Sequence, residues 1–159
     1  LKSKMKKESA SACPPREAWR EFEIVADVIA GAGPLAGVAT ALRKCRSPHL
    51  VVLAVDLPAM SAGFLRSLLA RCGDDQGVVP SSSRGFEPLA AVYPVRSVAL
   101  VATNLISRDF SMVSFVRGAL TKKLVREYAI SPLEEHLFAN LNTPTDYENA
   151  RRGQTHQDR

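Results

Sequence analysis

Leu50-Val-Val-Leu-Ala-Val-Asp56-Leu-Pro58 is the stretch whose reading decides the fold. Six apolar residues run together, a carboxylate follows, and a proline stands two places on. A short apolar run bounded by turn signals reads as a strand buried on both faces, as in a parallel sheet. Pro58 ends it, because proline has no N–H to donate to a ladder. Asp56 is therefore expected at the carboxyl end of a central strand, where open α/β sheets bind their ligands. An ionised carboxylate in that position needs a partner, and a metal ion suits it.

Outward from this strand, apolar runs alternate with helical patterns. Phe22–Ala26 reads as a strand that ends at Asp27. The small-residue turn Gly31–Gly37 follows. From Pro34 to about Arg46 the pattern is helical: Leu35, Val38, Ala39 and Leu42 share a face, and Pro34 suits the first helical position. Ser61 is placed to cap a helix with Phe64, Leu65, Leu68, Leu69 and Cys72 inward, which stops at Gly73. Gly77–Pro80 and Leu89–Tyr93 read as strands around a polar loop, Ser81–Gly85. Helices are expected at about 95–107 and 111–120, and strands at Lys123–Tyr128 and Phe138–Asn142. Thr143-Pro144-Thr145-Asp146 then opens a helix, with Thr as cap and Asp at the positive end of the dipole. Such alternation predicts an α/β fold with a mainly parallel sheet covered on both faces.

Composition narrows the class. The chain has 159 residues, 46% of them apolar and 23% charged, enough for one domain with a sizeable core. No run approaches the roughly 20 apolar residues of a membrane helix. The opening Leu1-Lys-Ser-Lys-Met-Lys-Lys7 has no apolar segment behind it, so it does not read as a secretory signal. The three cysteines, Cys13, Cys45 and Cys72, lack metal or redox spacing and read as reduced thiols of a cytoplasmic protein. The histidines, His49, His136 and His156, form no constellation. Net charge is +5, with part of the excess in the Lys-rich opening and in Arg151-Arg152, which read as solvated ends. No basic stripe with interleaved aromatics appears, which argues against nucleic acid as a partner.

Gly33-Pro34-Leu35-Ala36-Gly37, entering a helix, offers backbone N–H groups at a positive dipole end. By itself such a turn is common. Asp27 alone is an ordinary turn residue, and Glu87 alone reads as a solvated loop glutamate. Asn140 and Asn142 alone read as edge or cap residues. In order and at these spacings they form a pattern: Asp27, Gly33–Gly37, Leu-Ala-Val-Asp56-Leu-Pro, Glu87-Pro-Leu-Ala-Ala-Val-Tyr93 and Phe138-Ala-Asn-Leu-Asn-Thr-Pro-Thr-Asp146.

Over roughly residues 9–150 this pattern resembles the molybdenum cofactor guanylyltransferase (MobA-type) family of the nucleotidyltransferase fold. The resemblance implies a Rossmann-like three-layer α/β/α sandwich, over 1–152, with a polar tail at 153–159. It implies transfer of GMP from GTP to molybdopterin with release of pyrophosphate and use of Mg2+. Asp56 would be the catalytic residue and magnesium ligand. Asp27, Gly33, Pro34, Leu35, Ala36 and Gly37 would border the nucleotide, with Ser9 or Ser11 near another contact. Glu87, Asn140 and Asn142 would face the pterin. Proteins of the cofactor pathway are the implied protein partners. Family members open with a strand, a Leu-Ala-Gly-Gly loop and an Arg and Lys that hold the triphosphate. None of these stands in this sequence, so the expectation is an N-terminally truncated member or fragment with poor or no activity. Two alternatives stay open: a non-catalytic module binding molybdopterin or a partner protein, and a related cytidylyl or sugar-phosphate transferase.

Overall fold

A computed structural model of the protein describes residues 23, 25–27, 29 and 31–139. The first element is α1, Pro34–Lys44. Its start follows from Gly33, whose φ of 62° only glycine adopts without strain, and from Pro34 in the first turn. Leu35, Val38, Ala39 and Leu42 are all buried, as their spacing predicts. Strand β1, His49–Leu53, comes next, then α2, Ala62–Ala70. Ser61 caps α2 by accepting the Phe64 N–H at 3.1 Å. Phe64 and Leu68 face inward, whereas Leu69, expected on the same face, is 41% exposed.

The chain continues through β2 (Gly77–Ser82), β3 (Gly85–Phe86) and β4 (Ala90–Pro94). Ser81 and Ser82 thus prolong β2 instead of belonging to a loop, and the turn between β2 and β3 shrinks to Ser83 and Arg84. After a 3-10 turn at Val95–Ser97 come α3 (Val98–Ile106), α4 (Met112–Thr121) and β5 (Val125–Ala129). A 3-10 turn, Glu135–Phe138, closes the described chain. Phe138 therefore does not start a strand; the rest of that expected strand, and the helix after Thr143, lie outside the described residues.

The sheet runs β1-β4-β2-β3, with β5 on the other side of β2. β1 pairs β4 antiparallel, Leu50 opposite Tyr93 and Leu53 opposite Ala90. β4 pairs β2 antiparallel, and β2 pairs β5 parallel. So β1, β2 and β5 point one way, and β4 runs between β1 and β2 the other way. The expected mainly parallel sheet is a mixed one. The β2–β3 hairpin turns the chain back, and β4 adds alongside before any helix intervenes.

Period-two alternation divides the sheet between two cores. Val79, Ala91, Tyr93 and Val125 face α1, α3 and α4, together with Leu35, Leu42, Val101, Phe115 and Val116. Val78, Ala90 and Val92 face the other way, against Phe64 and Leu68 of α2 and against Leu137 and Phe138. Helices cover both faces, which makes the three-layer α/β/α sandwich.

β1 departs from expectation. Leu50 and Val52 pack against the first core, but Val51 is 37%, Leu53 43% and Val55 92% exposed. Among the described residues β1 has one hydrogen-bonded neighbour, β4, and α2 covers β4 and β2 rather than β1. A continuous apolar run reports low polarity; it does not report that both sides are covered. No helix among the described residues is long and apolar enough to cross a membrane.

Candidate functional site

Chain direction brings the candidate residues to one edge of the sheet. β1 and β2 end there. β4, running oppositely, begins there. α1 leads into β1 through a short turn and runs back against it, so its N-terminus lies toward the same edge. The Ala54 N–H donates to the Leu89 carbonyl at 2.7 Å, just past the end of β1. Two residues beyond Ala54 stands Asp56, and two residues before Leu89 stands Glu87.

Asp56 is half-buried in the turn after β1, and the following Leu57 is inserted into the second core. Among the described residues no hydrogen bond or ion pair engages the Asp56 carboxylate. No group of three or more His, Cys, Asp or Glu among those residues could cage a metal. A lone carboxylate fits Mg2+ nonetheless. That ion keeps several waters and takes one or two carboxylates plus substrate phosphates rather than an all-protein shell.

Asp27 does not end a strand. Residues 23 and 25–27 are in no strand, and Phe22 and Ile24 of the expected strand lie outside the described residues. Glu23 pairs with Lys44 at the C-terminal end of α1 at 2.6 Å. Further along, the Asp27 carboxylate lies against the first turns of α1, its Oδ1 3.4 Å from where a Cβ on Gly37 would stand. Asp27 thus follows the helix instead of a ladder, and lies beside Gly37. Within that turn Gly33 and Pro34 are exposed and Gly37 half-exposed, but Leu35 and Ala36 are 0% exposed. The last two hold the turn from the core. Apolar side chains at the start of an amphipathic helix follow its buried face.

Glu87 is no solvated loop residue. Its side chain is 22% exposed, Ser82 Oγ donates to its Oε1 at 3.2 Å, and an Arg84 nitrogen lies 3.7 Å away. The adjacent Pro88 carbonyl accepts from the Tyr93 hydroxyl at 2.8 Å, and burial pushes the Tyr93 phenol far up. Sequence reading missed Tyr93, a strand residue with no polar signal, and Arg84, whose spacing to Glu87 was the available hint. Asn140, Asn142, Ser9 and Ser11 lie outside the described residues. A hollow lined by Ile29, Ala39, Arg43 and Ile106, and another lined by Arg96, Thr103 and Lys122, contain none of the site residues.

Three comparisons bear on this edge. Residues 7–127 match the model of the MobA-like NTP transferase domain. The chain is 37% identical over 140 residues to a probable molybdenum cofactor guanylyltransferase of Opitutus terrae, covering 86% of this chain and 69% of the relative. A like-named protein of Carboxydothermus hydrogenoformans is 31% identical, with 82% and 67% covered. The solved structure of molybdopterin-guanine dinucleotide biosynthesis protein A from Archaeoglobus fulgidus superposes with a TM-score of 0.67 at 25% identity, over 88% of this chain and 72% of that one. The chain spans about two thirds of the length of these curated relatives.

Proposed function

The chain belongs to the MobA-like NTP transferase domain family, a family of nucleotidyltransferases, and we propose that it transfers GMP from GTP to molybdopterin in the cytoplasm. An oxygen of the acceptor phosphate attacks the α-phosphorus of GTP in line. The bond from that phosphorus to the bridging oxygen breaks, and pyrophosphate leaves.

Asp56 would hold the divalent ion that nucleotidyltransferases of this type use, here Mg2+, which neutralises triphosphate charge when bound. Asp27 borders the nucleotide beside Gly33, Pro34 and Gly37, where the two glycines, having no side chains, let a flat base or ribose approach the backbone. Leu35 and Ala36 hold that turn rigid from below. Glu87, fixed by Ser82, faces the acceptor together with Asn140 and Asn142. No side-chain nucleophile takes part, in keeping with the lack of any Ser–His or Cys–His pair among these residues. The chain's work is positioning and charge stabilisation, the dominant sources of phosphoryl-transfer catalysis.

One observation carries this reading: a half-buried aspartate without a partner among the described residues at the sheet edge, with the glycine turn of α1 directed to that edge. In a full-length form, Asp56→Asn is expected to abolish Mg2+-dependent GMP transfer, followed as pyrophosphate release with GTP and, in parallel, with CTP. Transfer at the unsubstituted rate would defeat the assignment, and preference for CTP would move the chain to cytidylyl transfer.

A further inference from the structure

Arg84 sits where two stretches far apart in sequence meet. Its own N–H donates to Ser82 Oγ at 3.1 Å, and Gly85, with φ of 116°, completes the tight turn. Its Nη2 donates to the Phe138 carbonyl at 3.3 Å, across 54 positions, and lies 3.7 Å from Glu87 Oε1. Phe138 is a firm anchor, 1% exposed and edge-on to Phe64 with ring centroids 5.4 Å apart. The guanidinium therefore bridges the Glu87 turn and the Glu135–Phe138 turn.

Ion pairing does not account for this arrangement. At 3.7 Å the contact with Glu87 is longer than a hydrogen bond, and with Arg84 63% exposed it contributes about 0–1 kcal/mol. What the contacts do is hold the guanidinium in one place through a single nitrogen. Nε and Nη1 have no partner among the described residues, either can form a bidentate edge with the second N–H of Nη2, and the side chain is 63% exposed. A planar cation fixed at one corner, with donors to spare, is what bidentate recognition of a phosphate needs.

We infer that Arg84 is the phosphate-recognising residue of the acceptor side, taking the phosphate monoester of a flat heterocyclic acceptor. The inference rests on the acceptor reading proposed above. Arg84 binds the oxygens that do not attack. It offsets the repulsion between an incoming phosphate dianion and the triphosphate, and the Phe138 carbonyl fixes one corner of its guanidinium.

The test is equilibrium binding, followed by pterin fluorescence, of molybdopterin and its dephosphorylated form to the unsubstituted chain and to Arg84→Ala and Arg84→Lys. The unsubstituted chain should prefer the phosphorylated form by about tenfold or more, the size of a charge-assisted bidentate contact. Arg84→Ala should cut that preference to about twofold or less, and Arg84→Lys should keep part of it, as a point charge without the fork. Affinity for Mg2+–GTP should stay within about twofold, since only the acceptor contact is removed. An undiminished preference in Arg84→Ala overturns the role of Arg84. Parallel loss of Mg2+–GTP and of both pterins in Arg84→Ala and Arg84→Lys alike marks a structural residue and also overturns it. If the unsubstituted chain binds Mg2+–GTP but neither pterin, the acceptor reading itself falls, and the inference with it.

Discussion

The Tyr93 hydroxyl reaches from inside the sheet to the Pro88 carbonyl, 2.8 Å away, and ties the core to the turn that carries Glu87. The ring is wholly buried and packs at 5.1 Å against Phe115 of α4. A hydroxyl so placed contributes through the partner it satisfies more than through the ring. Tyr93→Phe keeps the ring and leaves the Pro88 carbonyl without its donor. It should lower stability by about 1–2 kcal/mol, read by urea denaturation. Released, the Glu87 turn should also weaken acceptor binding while GTP binding holds. Unchanged stability would show that water replaces the hydroxyl there.

Gly77 permits a close crossing of strands. A Cβ on it would overlap the Val92 carbonyl and come within 3.0 Å of Pro94 Cδ. Backbone cannot yield as a flexible side chain does, so Gly77→Ala must push β4 away from β2. The expected loss is about 3 kcal/mol or more, visible as a large fall in thermal midpoint or as insoluble protein. A variant with native stability would mean that β2 and β4 pair differently from this register.

Acid should loosen the turn that leads into the Glu135–Phe138 segment. The backbone N–H of Ser131 donates to Glu134 at 2.7 Å and, with help from the Ser131 and Tyr128 hydroxyls and the Arg71 charge, holds the carboxyl below its usual 4.5 against the opposing effect of desolvation. A depressed carboxyl stabilises the fold above 4.5, and that contribution fades as pH falls through the folded value. Urea midpoints measured from pH 6 downward, roughly across the carboxylate range, should show Glu134→Gln less stable at the upper end and converging on the parent at the lower. A constant gap across the range would refute the link.

Alkali should act through Tyr93. Burial alone raises its phenol above the usual 10.0, so the folded chain keeps a proton that the unfolded chain releases. Its contribution is complete below pH 10.0 and is lost as pH climbs beyond it. Tyr93→Phe should flatten that decline, as followed by circular dichroism in an alkaline titration. An equally steep decline in the variant would assign it to other groups.

Two helices start on serine caps. Ser61 Oγ accepts from the Phe64 N–H at 3.1 Å, and Ser111 Oγ accepts from the Ser114 N–H at 3.2 Å. Ser61→Ala and Ser111→Ala should each lower stability by about 1 kcal/mol by urea denaturation, and Ser→Gly by only a few tenths. Equal losses for alanine and glycine would place the effect elsewhere than in the cap.

Much of this molecule is written in short-range pattern. The spacing of Leu35, Val38, Ala39 and Leu42 behind Pro34 specifies α1 and its buried face, because a helix repeats every 3.6 residues whatever surrounds it. Ser61 specifies where α2 begins, and the order of Asp27, Gly33–Gly37, Asp56, Glu87 and the Asn-Leu-Asn-Thr-Pro run from Asn140 points to the family. The covering of β1 and the direction of β4 were decided by tertiary structure alone. Pairing of Leu50 with Tyr93 joins residues forty-three positions apart, and nothing within either strand encodes its partner. For the same reason Asp27 came to lie along α1 instead of at a strand end. The contacts of Tyr93 with Pro88 and of Arg84 with Phe138 exist only once the strands have chosen neighbours. Periodicity is local and can be read residue by residue, whereas pairing and burial are set by the competition of all segments for a shared core.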